Sequence, residues 1–121
     1  MPIVFIIAPD WTLRTALRAE LRESGIDALG MDSPNDVAYA RASAQIPNVI
    51  VVEATPELLD DLRIQSLLRR VPTILIASRT LTVPLPPTAA VLYRPVRIAD
   101  IVARVNDLLA RNPARMLHCF W

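Results

Sequence analysis

Apolar residues are distributed along this chain in two alternating styles. Ile3-Val4-Phe5-Ile6-Ile7, Val49-Ile50-Val51-Val52 and Ile74-Leu75-Ile76 are short runs without polar interruption, while the stretches between them carry apolar positions every three or four residues. Uninterrupted β-branched and aromatic runs are what a parallel strand covered on both faces requires. The spaced stretches predict amphipathic helices.

The first helix follows from Leu13, Ala16, Leu17 and Leu21, with Asp10 placed to cap its start and Gly25 to take the left-handed position at its end. Ile26 to Met31 contains a glycine and an aspartate, so it predicts a weaker strand at a sheet edge. Ser33, Pro34 and Asp36 then put a hydroxyl, a missing donor and an anion where the first amides of a second helix need them, and that helix extends to the alanine-rich stretch ending at Ala44. Thr55 and Pro56 repeat this start for a third helix. Its stripe of Leu58, Leu59 and Leu62 continues through Ile64, Leu67, Leu68 and Val71 in another phase, so a break is expected near Arg63 to Gln65.

Ala89 to Tyr93 predicts a short fifth strand. Between it and the fourth, Arg79 to Thr88 holds Pro84, Pro86 and Pro87, each of which removes an amide donor and clashes with a preceding turn. An extended loop is predicted there. Ile98, Ile101, Val102, Val105, Leu108 and Leu109 form the last helix, ended by Asn112-Pro113. Strands alternating with helices through five units predict an α/β fold with a doubly wound parallel sheet, and right-handed crossovers favour the order 2-1-3-4-5.

Composition narrows the function. With 121 residues, 53% hydrophobic and 21% charged, the chain has enough apolar surface for one core and none of the character of a disordered segment. A formal net charge of +1 supplies no broad field for nucleic acid or an anionic membrane. The single cysteine, Cys119, allows no internal disulfide, which fits a reducing cytoplasm. No apolar run approaches the ~20 residues needed to span a bilayer, and the N-terminal run has no basic segment before it, so cytoplasmic localisation is expected.

Ligands of such a sheet gather at the carboxyl ends of its strands. Here those ends are Ala8-Pro9-Asp10, Glu53 and Ala77-Ser78. Pro47 to Glu53 is similar to the strand that ends in the phosphoacceptor aspartate of receiver domains in bacterial two-component response regulators. Tyr93-Arg94-Pro95-Val96, followed by Ile98 and Ile101, resembles the same family's Lys-Pro-Phe segment and final helix. The resemblance covers residues 2 to 112, so a flavodoxin-like receiver-type domain is expected over 1–112, with the fourth helix replaced by the proline-rich loop and an apolar tail over 113–121.

Receivers hold Mg²⁺ with two acidic residues after strand 1, and use an aspartate nucleophile, a hydroxyl after strand 4 and a lysine after strand 5. Residue by residue, the resemblance puts Ala8 and Pro9 at the acidic pair with Asp10 beside them, Glu53 at the nucleophile, Ala77 at the hydroxyl, Arg94 at the lysine and Val91 at the switch aromatic. Alanine and proline offer no carboxylate oxygen to a cation that demands near-octahedral coordination. Arg94 brings a guanidinium where an ammonium would face the phosphoryl group, and Glu53 is a methylene too long for a reaction in which ~1 Å costs about 10²-fold. Neither Mg²⁺ binding nor catalysis is expected. Ser78, one residue beyond Ala77, should point to the other side of its strand.

The reading is therefore a receiver-like module that works without phosphorylation, through a protein partner or a second copy, in signalling or transcription regulation. Alternatives are a Glu53 that imitates a phosphorylated aspartate, an atypical receiver whose chemistry survives through Asp10 and Glu53, and a flavodoxin-like small-ligand domain. For Glu53 itself, a plain ion pair with Arg94 is the simpler expectation. Only Gly25 and Gly30 are present, so no Gly-rich phosphate loop follows strand 1 and no cofactor is expected. Leu81, Val83 and Leu85 are expected to fold back as cover in place of a partner-binding strip, and Trp11 to pack beside the altered pocket. The tail's His118-Cys119 lacks the further ligands of a zinc site. That tail is expected to pack on the domain, pair two copies or lead into a further region.

Overall fold

The computed structural model describes residues 1–42 and 46–111. Five parallel strands, β1 (Ile3–Ile7), β2 (Asp27–Met31), β3 (Val49–Glu53), β4 (Thr73–Ala77) and β5 (Ala90–Tyr93), form one sheet in the order β2-β1-β3-β4-β5. The helices are α1 (Trp11–Glu23), α2 (Pro34–Ala42), α3 (Pro56–Leu59), α4 (Leu62–Arg70) and α5 (Ile98–Arg111). This is the expected doubly wound topology, with the weak strand β2 at one edge and β5 at the other.

Side chains of a strand alternate between its faces, and the core divides accordingly. Val4 and Ile6 of β1, Val49 and Val51 of β3, and Ile74 and Ile76 of β4 pack with Leu13, Leu17 and Leu21 of α1 and Ile101 and Val105 of α5. Phe5, Ile7, Ile50, Val52, Leu75 and Ala77 pack on the opposite face with Val37 of α2, Leu58 and Leu59 of α3, and Ile64, Leu67 and Leu68 of α4. Both faces are dry, which accounts for the uninterrupted apolar runs.

The predicted helix starts are present. Asp10 accepts from the amides of Thr12 and Leu13 at 3.0 and 3.4 Å, Thr55 Oγ1 accepts from Leu58 N–H at 3.2 Å, and Ser33 Oγ lies 3.5 Å from Asp36 N. Gly25 takes the left-handed conformation, φ 80°, after α1. The expected break in the third helical segment falls earlier than the stripe indicates, at Asp60-Asp61. Asp61 starts a new helix by accepting from the amides of Arg63 at 2.8 Å and Ile64 at 3.3 Å. This cap rotates the stripe, so Leu62, placed in it by spacing, is exposed while Ile64 is buried.

Residues 78–89 contain no helix, as the prolines require. Leu81, Val83 and Leu85 turn inward onto the α2–α4 side of the core, and Thr82 and Pro84 point out. The loop is cover, as expected. Its first residues are tied down by Leu81 N–H donating to Ser78 O at 3.1 Å and by the Arg79 guanidinium, 5.4 Å from the centre of the Tyr93 ring. The apolar tail, with His118 and Cys119, and the expected stop at Asn112-Pro113 lie outside the described residues.

Candidate functional site

The carboxyl ends of β1, β3, β4 and β5 bring the predicted positions together. Beyond β1 the chain passes through Ala8, whose side chain is buried in the α1–α5 side of the core, and the exposed Pro9 to Asp10. Glu53 closes β3, in register with Ile76 of β4. Arg94 follows β5, and its N–H donates to Ala77 O at 2.9 Å, which prolongs the β4–β5 ladder by one bond.

Their side chains form a closed group. Arg94 Nη2 lies 3.6 Å from Glu53 Oε2 and 3.6 Å from Asp10 Oδ2, while Glu53 Oε1 accepts the backbone N–H of Asp10 at 2.9 Å. Glu53 is the least exposed of the three, at 18% of its side chain against 37% for Asp10 and 39% for Arg94. The expected Glu53–Arg94 pair is thus present, and Asp10 is a second carboxylate on the same guanidinium. Asp10 has two tasks, since its Oδ1 also caps α1.

Sequence reasoning missed the Asp10–Arg94 pair and the bond from the Asp10 amide to Glu53. The signal available was that Asp10 is the first carboxylate after β1 and its carboxyl end adjoins that of β3. From the sequence Asp10 reads as a helix cap, as a neighbour of the altered acidic pair and, in one alternative, as a partner of Glu53 in surviving chemistry, but not as a partner of Arg94. Ala77 is wholly buried and brings only a methyl group to the site. Ser78 does not replace its hydroxyl, because Ser78 Oγ is exposed, 2.8 Å from Thr80 Oγ1, and accepts Thr80 N–H. Val91 lies within β5, partly buried against the α2–α4 side of the core. Trp11 is 67% exposed and does not pack into this site as expected, because the first turn of α1 carries its indole outward.

Mg²⁺ at this position would need carboxylate oxygens at ~2.1 Å in an octahedral set. Ala8 and Pro9 supply none, and the two carboxylates that are near, Asp10 and Glu53, already face the positive charge of Arg94. Among the described residues no group of three or more His, Cys, Asp or Glu is gathered to hold a metal. The residues present do not fit the ion. What they can do is neutralise one another and tie the ends of β1, β3 and β5 together. At this exposure each ion pair contributes between nothing and ~1 kcal/mol.

The fold is that of receiver domains, the flavodoxin-like class with strand order 2-1-3-4-5. The receiver domain of a Francisella response regulator matches with a TM-score of 0.73 at 22% identity, over 92% of this chain and 98% of that one. A response regulator receiver protein from Burkholderia phymatum matches with 0.71 at 20% identity, over 91% of this chain and 96% of its own. A response regulator receiver domain protein from Clostridium thermocellum gives 0.73 at 16% identity, over 97% and 99%. No protein-family model and no curated protein matches the sequence. Among the described residues, no helix is long and apolar enough to cross a membrane.

Proposed function

We propose that this chain is a receiver-fold module that acts by contact with a protein partner or a second copy, in signal transduction or transcription regulation, without accepting a phosphoryl group. The observation that carries this reading is the bridge from Arg94 to both Glu53 and Asp10, at 3.6 Å each, where a receiver would need a cation and free carboxylate oxygens. A phosphoryl donor arriving there meets a glutamate whose two oxygens are engaged by Asp10 N–H and Arg94. Charge developing in transfer would find no metal ligand pair and no hydroxyl at Ala77.

The Glu53–Arg94 pair also favours a second reading, in which Glu53 holds the domain in an active-like state. Ala77 and Val91 weigh against it, because a methyl group and an aliphatic side chain cannot follow a phosphoryl group as a hydroxyl and an aromatic ring do. A plain structural tie accounts for the pair with fewer parts.

The test is incubation with Mg²⁺ and acetyl phosphate followed by intact-mass measurement. The expected result is no phosphoryl adduct, while stoichiometric modification at Glu53 would overturn the reading.

A further inference from the structure

One face of α1 carries Trp11, Arg14, Thr15, Arg18 and Arg22, and no acidic residue. At 100° per residue these positions fall within about 60° of one another's mean direction, whereas Glu20 lies on the opposite side. The face borders the outer strand β2. Trp11, Arg14, Thr15 and Arg18 line a cavity of about 300 Å³ together with Leu29 and Gly30.

The two central guanidiniums are held but not neutralised. Arg14 Nη1 donates to Ala8 O at 2.6 Å and Arg18 Nε to Ala28 O at 3.3 Å, and neither arginine forms an ion pair among the described residues. A carbonyl fixes a guanidinium in place and leaves its charge and most of its five donors available. Gly30 makes this possible on the strand side, since a Cβ there would meet Arg14 Cγ at 3.0 Å and Cδ at 3.1 Å. Further along, Arg22 pairs only loosely with Asp27, at 3.9 Å with half of its side chain exposed. Trp11 at 67% exposure completes a row of one large aromatic and three cations.

We infer that this α1–β2 edge docks an acidic segment of a partner protein, one that sets an apolar side chain against Trp11 and carboxylates against Arg14 and Arg18. Tryptophan and arginine are the residues that dominate protein interfaces, and pre-placed guanidiniums pair with carboxylates bidentately. Addition of a partner strand to β2 is disfavoured, because Arg18 already occupies the outward carbonyl of Ala28. Nucleic acid is disfavoured by a chain charge of only +1. The inference rests on the reading of the chain as a contact module, and it names the chemistry of the partner.

The probe is a ten-residue synthetic peptide with one phenylalanine followed by four glutamates, titrated into the ¹⁵N-labelled full chain at low salt. Expected are shifts concentrated on the Trp11 indole N–H, the Nε–H of Arg14 and Arg18 and the amides of Leu29 and Gly30, with binding weakened at least tenfold between 20 and 300 mM salt. Arg14→Gln combined with Arg18→Gln should weaken binding at least tenfold, while Arg104→Gln on α5 leaves it unchanged. The shift map of the unsubstituted chain needs no variant to fold. Absence of shifts at millimolar peptide, shifts centred elsewhere, or tighter binding of an oligothymidylate at the same salt each overturn the inference. The acetyl phosphate test at Glu53 reports on the contact-module reading alone, so the two can fail separately.

Discussion

The two faces of the sheet are covered in different ways. On one side two long helices, α1 and α5, of 13 and 14 residues, lie along the strands, and each buries a continuous stripe. On the other side the cover is assembled from α2, α3 and α4, of 9, 4 and 9 residues, and from the inward side chains of the proline-rich loop. Both sides exclude water equally well, since Phe5 and Ile7 are as buried as Val4 and Ile6. A sheet of this kind therefore needs a matched apolar surface above each face more than it needs a particular helix. Regular periodicity achieves this with few caps. The piecewise side relies on a cap at each start, Thr55 and Asp61 within seven residues.

The largest expected effect tests whether the two covers are packed alike. Leu17→Ala under α1 and Leu67→Ala under α4 should each lower stability by ~3 kcal/mol in urea denaturation, as wholly buried leucines do. A loss below ~1 kcal/mol for Leu67→Ala alone would show the piecewise side to be loosely packed. Next in size is Asp61→Ala, which removes the bonds to Arg63 and Ile64 and should cost about 1 kcal/mol, with loss of helical signal from α4.

The same carboxylate gives a pH signature. Hydrogen bonding from the Arg63 side chain, then from the amides of Arg63 and Ile64, holds the Asp61 carboxyl below its ordinary 3.8. A depressed folded-state value means stability that is present above the unfolded value and lost as pH falls through the folded one. The stability gap between the native chain and Asp61→Asn should therefore be full near neutral pH and shrink on acidification below about 3.8. A gap that stays constant down to pH 2 would remove the charge from this account. Smallest is Arg94→Gln, expected to cost between nothing and ~1 kcal/mol, because both of its ion pairs are partly solvated.

What was legible in the sequence follows the same division. Strand positions, the caps of α1 and α3, and the helix-free loop could be read because each depends on residues close in sequence, and the strand order because right-handed crossovers leave few topologies. The break at Asp60-Asp61 lies a few residues before the one that the apolar stripe predicts, since the phase of apolar positions does not register the cap supplied by Asp61. Leu62 was assigned to the core for the same reason. At the site, Glu53 with Arg94 was legible through resemblance to receivers. The joining of Asp10 to both was not, because it depends on how the ends of β1 and β3 meet across 43 residues of chain. The α1 arginines were passed over because a basic helix face reads first as a solvated surface, and only the fold places Arg18 on the edge of β2.

On the proposed reading, the proline-rich loop between β4 and β5 bears on how the module could carry information. Allosteric relay needs an element with two arrangements of similar free energy, so that an event at one place can bias the other. A helix sliding on a sheet offers such a pair. A segment in which Pro84, Pro86 and Pro87 each restrict φ, and whose Leu81, Val83 and Leu85 pack as a row against the core, cannot slide as a helix does. On the proposed reading this side of the domain lacks the sliding helix such a relay would use, and the information the module carries lies in whether a partner is bound.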